Sequence, residues 1–420
     1  MEFAFYEKAG VVMGNLIAAG FQNTVDFELD WDPGTLAGLC RMYGLCRSEI
    51  REYAPINSER ELLLTLLFHM QNGSGSECLA VSSKITRDFA ARFEMTITLG
   101  GTAVRAAMAI EKLGYKSSIH ACSLNRHFRA LIPENVTWVS SVSDEGEDFH
   151  PHVIVQYPGN CTLQANDIEI TTKRPNRVIF TCDPPSEKLI ITDDFADLAA
   201  DAKVFLTASY NIVKHREDLV DRLNTTLKIM DRLSPACFKL MEDGCFRDPR
   251  MREIITEMLV PRLTLFSMNE DELQDRIGRK IDILNPVQVA EAVKEEYAVL
   301  NVPILVCHSA CWALAYGKGA GRIREALEGG VTMASTRFRL GDHYDLSDYR
   351  ETAGLPPKKE SLAFIASVKE LLSAEELVIV PAKDLSGVPQ PVTIGLGDSF
   401  IGGMLPLLLP DEIRESARFS

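Results

Sequence analysis

The chain has 420 residues, 46% hydrophobic and 25% charged, with a formal charge of −15. That excludes whole-chain disorder and supplies core material for about two to three domains. With 59 acidic against 44 basic residues, nucleic acid is excluded as a partner, although a locally basic anion site is still allowed.

The amino-terminal MEFAFYEKAG has no basic start followed by an apolar stretch, so it does not read as a signal peptide. The most apolar run, residues 62–68, is too short to span a bilayer, and no membrane is expected. The ten cysteines form no Cys-x-x-Cys pair, and Cys307 and Cys311 have no matching second pair. They read as reduced thiols of a cytoplasmic protein rather than as a zinc site.

In chain order, a strand is expected at 17–21, followed by mostly helical patterns over 27–95, the clearest at 59–70. Gly100-Gly101 opens a small-residue helix over 104–113. Residues 149–193 carry β-like runs at 153–157, 168–172, 178–182 and 189–192, broken by Pro158-Gly159-Asn160 and Asp183-Pro184-Pro185. Beyond residue 200 the rhythm is regular. Strands are expected at 204–207, 236–241, 263–267, 303–307 and 377–381. Helices are expected over 218–233, 249–259 and 286–300, the last two opened by proline. Alternation of this kind predicts an α/β fold, with a mostly parallel sheet covered on both faces. The two irregular stretches predict a separate smaller unit. Residues 1–25, 96–147 and 194–420 form the large domain in this reading, and 26–95 and 148–193 a discontinuous lid.

Three motifs carry chemistry. Gly395-Leu396-Gly397-Asp398 precedes an apolar run at 400–409 that can be helical. Glycines at the mouth of a helix let backbone N–H groups converge on phosphate, and the helix dipole adds to the attraction. An aspartate there suits a base that takes a proton from an attacking hydroxyl, although a plain N-cap explains it equally. Asn269-Glu270-Asp271-Glu272 follows a strand and puts Asn269 and Glu272 on one side of a helix start. That suits Mg²⁺ held through water, or merely a capped helix with an acidic first turn. Gly100-Gly101 permits close backbone approach, or is a simple loop.

The order of these motifs resembles the ribokinase-like superfamily of sugar kinases, and in finer detail its ADP-dependent glucokinase and phosphofructokinase branch. Met268-Asn269-Glu270-Asp271-Glu272-Leu273 looks like that branch's MNExEL signature, and Val306-Cys307-His308-Ser309 its strand ending in His-Thr. The segment from Gly20 to Asp26 resembles the sugar-binding stretch, and Arg174-Pro175-Asn176-Arg177 the lid motif. Three positions depart: Leu240 replaces the histidine of His-x-Glu242, Thr24 a usual Asn, and Ala208 a usual Gly.

The resemblance implies a three-layer α/β/α sandwich with a smaller lid. It implies transfer of the terminal phosphoryl of ADP (alternatively ATP) to a hexose or hexose phosphate. Asp398 would be the base, with Gly395, Leu396, Gly397 and His308 at the nucleotide. Arg177 would neutralise the transferred group. Asp26, Gly100, Gly101 and Asn176 would meet the sugar, and Glu242, Asn269 and Glu272 would place Mg²⁺. A non-catalytic binding protein on the same scaffold stays open because of Leu240.

Overall fold

In a computed structural model, the described residues are 15–142, 144, 146, 149–246, 248–372, 376–389 and 391–419. The ten amino-terminal residues read above for a signal peptide lie outside them.

The large sheet has nine strands. From edge to edge these are Leu377–Pro381, Trp312–Tyr316, Ile304–His308, Leu265–Asn269, Phe238–Glu242, Val204–Thr207, Ile17–Gly20, Ser117–Ala121 and Val136–Ser140. All run parallel except Trp312–Tyr316, which is antiparallel to both its neighbours. Successive side chains leave a strand on opposite faces. Phe205, Met241, Phe266 and Leu305 therefore enter one core, and Leu206, Leu240, Leu265 and Val306 the other. Leu219, Val289 and Phe364 cover the first face from helices Arg216–Arg232, Pro286–Leu300 and Lys359–Leu371. Ala103, Leu327 and Ile401 cover the second from Thr102–Lys112, Arg324–Leu340 and Leu396–Met404. This is the expected three-layer α/β/α arrangement.

A second sheet of five strands runs in the order Ser76–Leu79, Asn176–Thr181, His152–Tyr157, Thr24–Leu29, Met95–Gly100. It has its own apolar core, formed with helices Pro33–Met42, Glu59–Asn72 and Ser83–Ala90. Asp32 and Ser58 cap the first two by accepting bonds from backbone N–H groups of the opening turn. Thr24, Val25 and residues 96–100, placed above with the large unit, pair in this smaller sheet. The run at 189–192 is not a strand. Leu189 takes the left-handed conformation that ends the short helix Pro184–Lys188. Among the described residues no helix is long and apolar enough to cross a membrane.

Candidate active site

Glu242, Asn269 and His308 are the last residues of three adjacent parallel strands. The crevice beyond such strand ends is where open α/β sheets bind ligands. His308 Nε2 lies 3.0 Å from Glu242 Oε1, and its ring stacks on Phe400 with centroids 4.3 Å apart. The other Glu242 oxygen is buried without a protein hydrogen-bond partner, as is the hydroxyl of Ser267, its register neighbour. Leu240, two residues earlier on the same face, is wholly buried in the core. The imidazole beside Glu242 therefore comes from His308, two strands over.

Asn269 and Glu272 form a capping box. Asn269 Oδ1 accepts from the backbone of Asp271 and Glu272 at 2.8 and 2.9 Å, and Glu272 Oε2 accepts from Asn269 N at 2.8 Å. The capped-helix reading thus accounts for the Asn269 oxygen. Glu272 has a further circumstance. Burial, then the charges of Glu242 and Asp243, push its carboxyl well above the usual range. An orphaned carboxylate oxygen among buried, mutually repelling carboxylates is a donor set that fits a hard divalent cation.

Above these strand ends lies the glycine loop. Gly395 has a φ of 62° and caps helix Leu396–Met404, which places Asp398 in the first turn. A Cβ on Gly395 would stand 2.6 Å from Arg105 Cδ, so only glycine lets the loop lie on that arginine. The Thr102 hydroxyl, at the start of helix Thr102–Lys112, acts on Asp398 to lower its pKa, so the two glycine motifs meet at this carboxylate. Burial raises the Asp398 pKa above the ordinary value; Arg105 and Thr102 offset part of the rise, and Glu242 adds to it. A Cβ on Gly397 would stand 3.6 Å from His308 Cε1, an ordinary contact, so the loop passes over that ring.

Arg177 faces this loop from the smaller sheet. Burial lowers its pKa, opposed by the charges of Asp398, Asp271 and Glu77. Its neighbour Asn176 is committed elsewhere. It donates to Gly73 O at 3.2 Å and accepts from Arg177 N at 2.9 Å. Thr393, just before the loop, is tied to the same sheet. Its backbone N–H and hydroxyl donate to Gln156 Oε1 at 3.2 and 3.3 Å.

Asp26 is almost wholly buried. Its Oδ2 accepts from Arg105 Nη2 at 2.7 Å and its Oδ1 from the Thr24 hydroxyl at 2.7 Å. Arg105 also lies 3.5 Å from Glu28 and 4.0 Å from Asp342. Gly100 sits beneath this pair, where a Cβ would come within 2.3 Å of Asp26 Oδ2. Sequence reading missed Arg105. Its signal was a single guanidinium on the buried face of an alanine-rich helix. Arg337 was missed as well; it donates to Ile394 O at 2.7 Å and pairs with Asp342. Arg105 Nη1 and Arg337 Nη2 are buried without a hydrogen-bond partner.

A cavity of about 570 Å³ between the two sheets is lined by Gln22, Glu77, His152, Asp183, Lys214 and Asp248, among others. Asp398 is not in its wall. The cavity's wall includes Glu77, whose negative charge also acts on Arg177. His152 Nε2 and Asp183 Oδ2 lie 3.1 Å apart in its wall. Burial alone would lower the His152 pKa, but Asp183 and Asp26 outweigh it and raise it to about 9.

No curated protein matches the sequence. Among solved structures, a hypothetical ADP-dependent phosphofructokinase from Pyrococcus horikoshii OT3 aligns over 94% of this chain and 97% of its own, at 17% identity and TM-score 0.72. The same organism's phosphofructokinase with AMP aligns equally far, at 17% identity and TM-score 0.70. An ADP-dependent kinase in complex with fructose-6-phosphate and ADPβS covers 94% of each chain, at 13% identity and TM-score 0.72. These likenesses show the fold. The profile of the ADP-specific phosphofructokinase/glucokinase conserved region matches residues 17–309, more than half of the sequence. The chain therefore belongs to the ADP-specific phosphofructokinase/glucokinase family, the ADP-dependent sugar kinases.

Proposed function

We propose that the protein transfers the terminal phosphoryl of ADP to a hydroxyl of a hexose or hexose phosphate, with Mg²⁺. The observation that carries this reading is Asp398. Its carboxylate stands in the first turn of a helix, faces Arg177 across the crevice, and holds its proton more firmly than an ordinary aspartate. A base so tuned accepts a hydroxyl proton more readily as the oxygen attacks phosphorus. Backbone N–H groups at Gly395 to Gly397 receive phosphate oxygens at the positive end of the helix. Arg177 brings positive charge to the transferred group, and the unpartnered N–H groups of Arg105 and Arg337 support anion binding nearby.

Glu242 and Glu272 hold Mg²⁺, with Asn269 shaping the helix start between them. The ion supplies positive charge to the phosphates when bound. Asp26 and the Gly100-Gly101 backbone orient the acceptor, and the smaller sheet serves as the lid over it. The cocrystallised fructose-6-phosphate and ADPβS of the related kinase support a nucleotide and a sugar phosphate as the two substrates.

The test pairs a panel of hexoses and hexose phosphates, offered with ADP or ATP and Mg²⁺, with Asp398→Asn. Turnover should fall by about 10² to 10⁴, the range for a positioned general base, while nucleotide affinity holds. A merely structural role in the first turn, where Gly395 and not Asp398 is the cap, predicts near wild-type turnover. That outcome would remove Asp398 from the chemistry.

A further inference from the structure

Away from this crevice, three side chains from separate segments converge in the smaller unit. His69 lies near the end of helix Glu59–Asn72, Cys78 lies on the edge strand Ser76–Leu79, and Glu52 lies in the loop before Ile56. One ligand atom from each lies within 4.8 Å of the others. His69 Nε2 is 3.6 Å from Cys78 Sγ and 3.5 Å from Glu52 Oε1. A tetrahedral zinc site with Zn–N about 2.0 Å and Zn–S about 2.3 Å puts its nitrogen and sulfur about 3.5 Å apart. The two measured edges are close to that spacing.

The surroundings prepare the histidine. Its other nitrogen, Nδ1, lies 2.9 Å from Ser74 Oγ. Donation of Nδ1–H to that hydroxyl leaves the Nε2 lone pair facing Cys78 and Glu52. Metal-binding histidines are commonly oriented by an outer hydrogen bond of this sort. Ser74 is itself held, because Tyr157 OH donates to its carbonyl at 2.8 Å and its N–H donates to His69 O at 3.0 Å. His69 and Cys78 are buried, whereas Glu52 is 46% exposed and gives the ion a way in.

We propose that Glu52, His69 and Cys78 form a Zn²⁺ site that fastens the edge strand of the smaller sheet to the helix and loop beside it. On binding, Cys78 releases its thiol proton to solvent and bonds through sulfur. His69 bonds through Nε2 and keeps Nδ1–H, and Glu52 bonds as a carboxylate. The dipositive ion then meets two negative ligands, so the buried centre is neutral, and a water completes the tetrahedron on the Glu52 side. Thiolate and imidazole select zinc over the Mg²⁺ that suits an all-oxygen set. The missing Cys-x-x-Cys pattern does not bear on such a site, because its ligands come from three segments.

Co²⁺ is the spectroscopic probe. The chelator-treated full chain, titrated with Co²⁺, should gain a thiolate-to-cobalt charge-transfer band and tetrahedral visible bands at one ion per chain. Zn²⁺ should displace them and raise the melting temperature. Cys78→Ser should lose the charge-transfer band and the thermal response, and Ser74→Ala should bind Zn²⁺ about 10- to 100-fold more weakly. Glu52→Gln, at an exposed position where folding is safe, should keep the sulfur band but bind more weakly. Absence of the band in the wild type, or its persistence in Cys78→Ser, would overturn the site. So would unchanged affinity in Glu52→Gln.

Discussion

Arg105→Met tests the buried charge centre beneath the glycine loop. The Arg105 side chain is 2% exposed and its main partner Asp26 is 5% exposed. Methionine keeps much of the volume and removes the charge. Asp26 is then left buried with only the Thr24 hydroxyl. Glu28, which burial already raises and Arg105 chiefly counters, loses that counterweight. Removing one partner of a buried ion pair costs about 3–5 kcal/mol, because the remaining charge has no solvent to return to. At about 2.1 cal/mol/K of unfolding entropy per residue, a chain of 420 residues shifts by roughly 1 °C per kcal/mol, so the melting temperature should fall by about 3–6 °C. Differential scanning calorimetry at neutral pH on the wild type, Arg105→Met and Arg105→Met/Asp26→Asn measures this. The double variant should recover about 1–3 kcal/mol, since the stranded charge is gone. A melting temperature for Arg105→Met within about 1 °C of wild type, the shift expected of only about 1 kcal/mol, would refute the reasoning. A double variant no more stable than the single one would do the same.

Glu242→Gln should raise the Mg²⁺ concentration needed for half-maximal turnover. In chelator it should also raise the melting temperature, because it relieves the repulsion that pushes up Glu272. The His152–Asp183 pair makes stability depend on alkaline pH. His152 is raised from 6.5 to about 9, so its contribution is complete below the lower value and is lost as pH climbs to the upper one. Thermal melting across that window should show a downward slope in the wild type that flattens in His152→Gln. Gly101 has a φ of 89°, and a Cβ there would stand 2.6 Å from Gln22 O. Gly101→Ala should destabilise by about 1–3 kcal/mol in urea unfolding and lower turnover with it.

Helix Pro286–Leu300 and strand Leu377–Pro381 were legible to the residue because their boundaries are chemical. Asn285 caps the helix directly before its opening proline, and the strand is a compact β-branched run. The edge strand Ser76–Leu79 was hidden inside a helical stretch because it has four residues and its pattern includes a glutamate. Trp312–Tyr316 was also missed, and with it the antiparallel step in the sheet, which no local pattern encodes. In the site, Asp398 and Glu242 could be found from their motifs. The Arg105–Asp26 pair joins residues 79 positions apart, and only the packing of the two sheets brings them together.

The Gln156–Thr393 contact makes the smaller sheet and the glycine loop one mechanical linkage. Strand His152–Tyr157 cannot withdraw from the large sheet without breaking both bonds to Thr393. Each neutral hydrogen bond contributes about 1 kcal/mol net, so the two together favour the engaged arrangement about thirtyfold. A clasp of that strength opens thermally within a catalytic cycle yet still biases where the loop rests. Arg177 is the register neighbour of Gln156 on the next strand. The residue that clasps the loop and the residue that faces Asp398 therefore travel together, and the crevice loses both at once whenever this edge lifts.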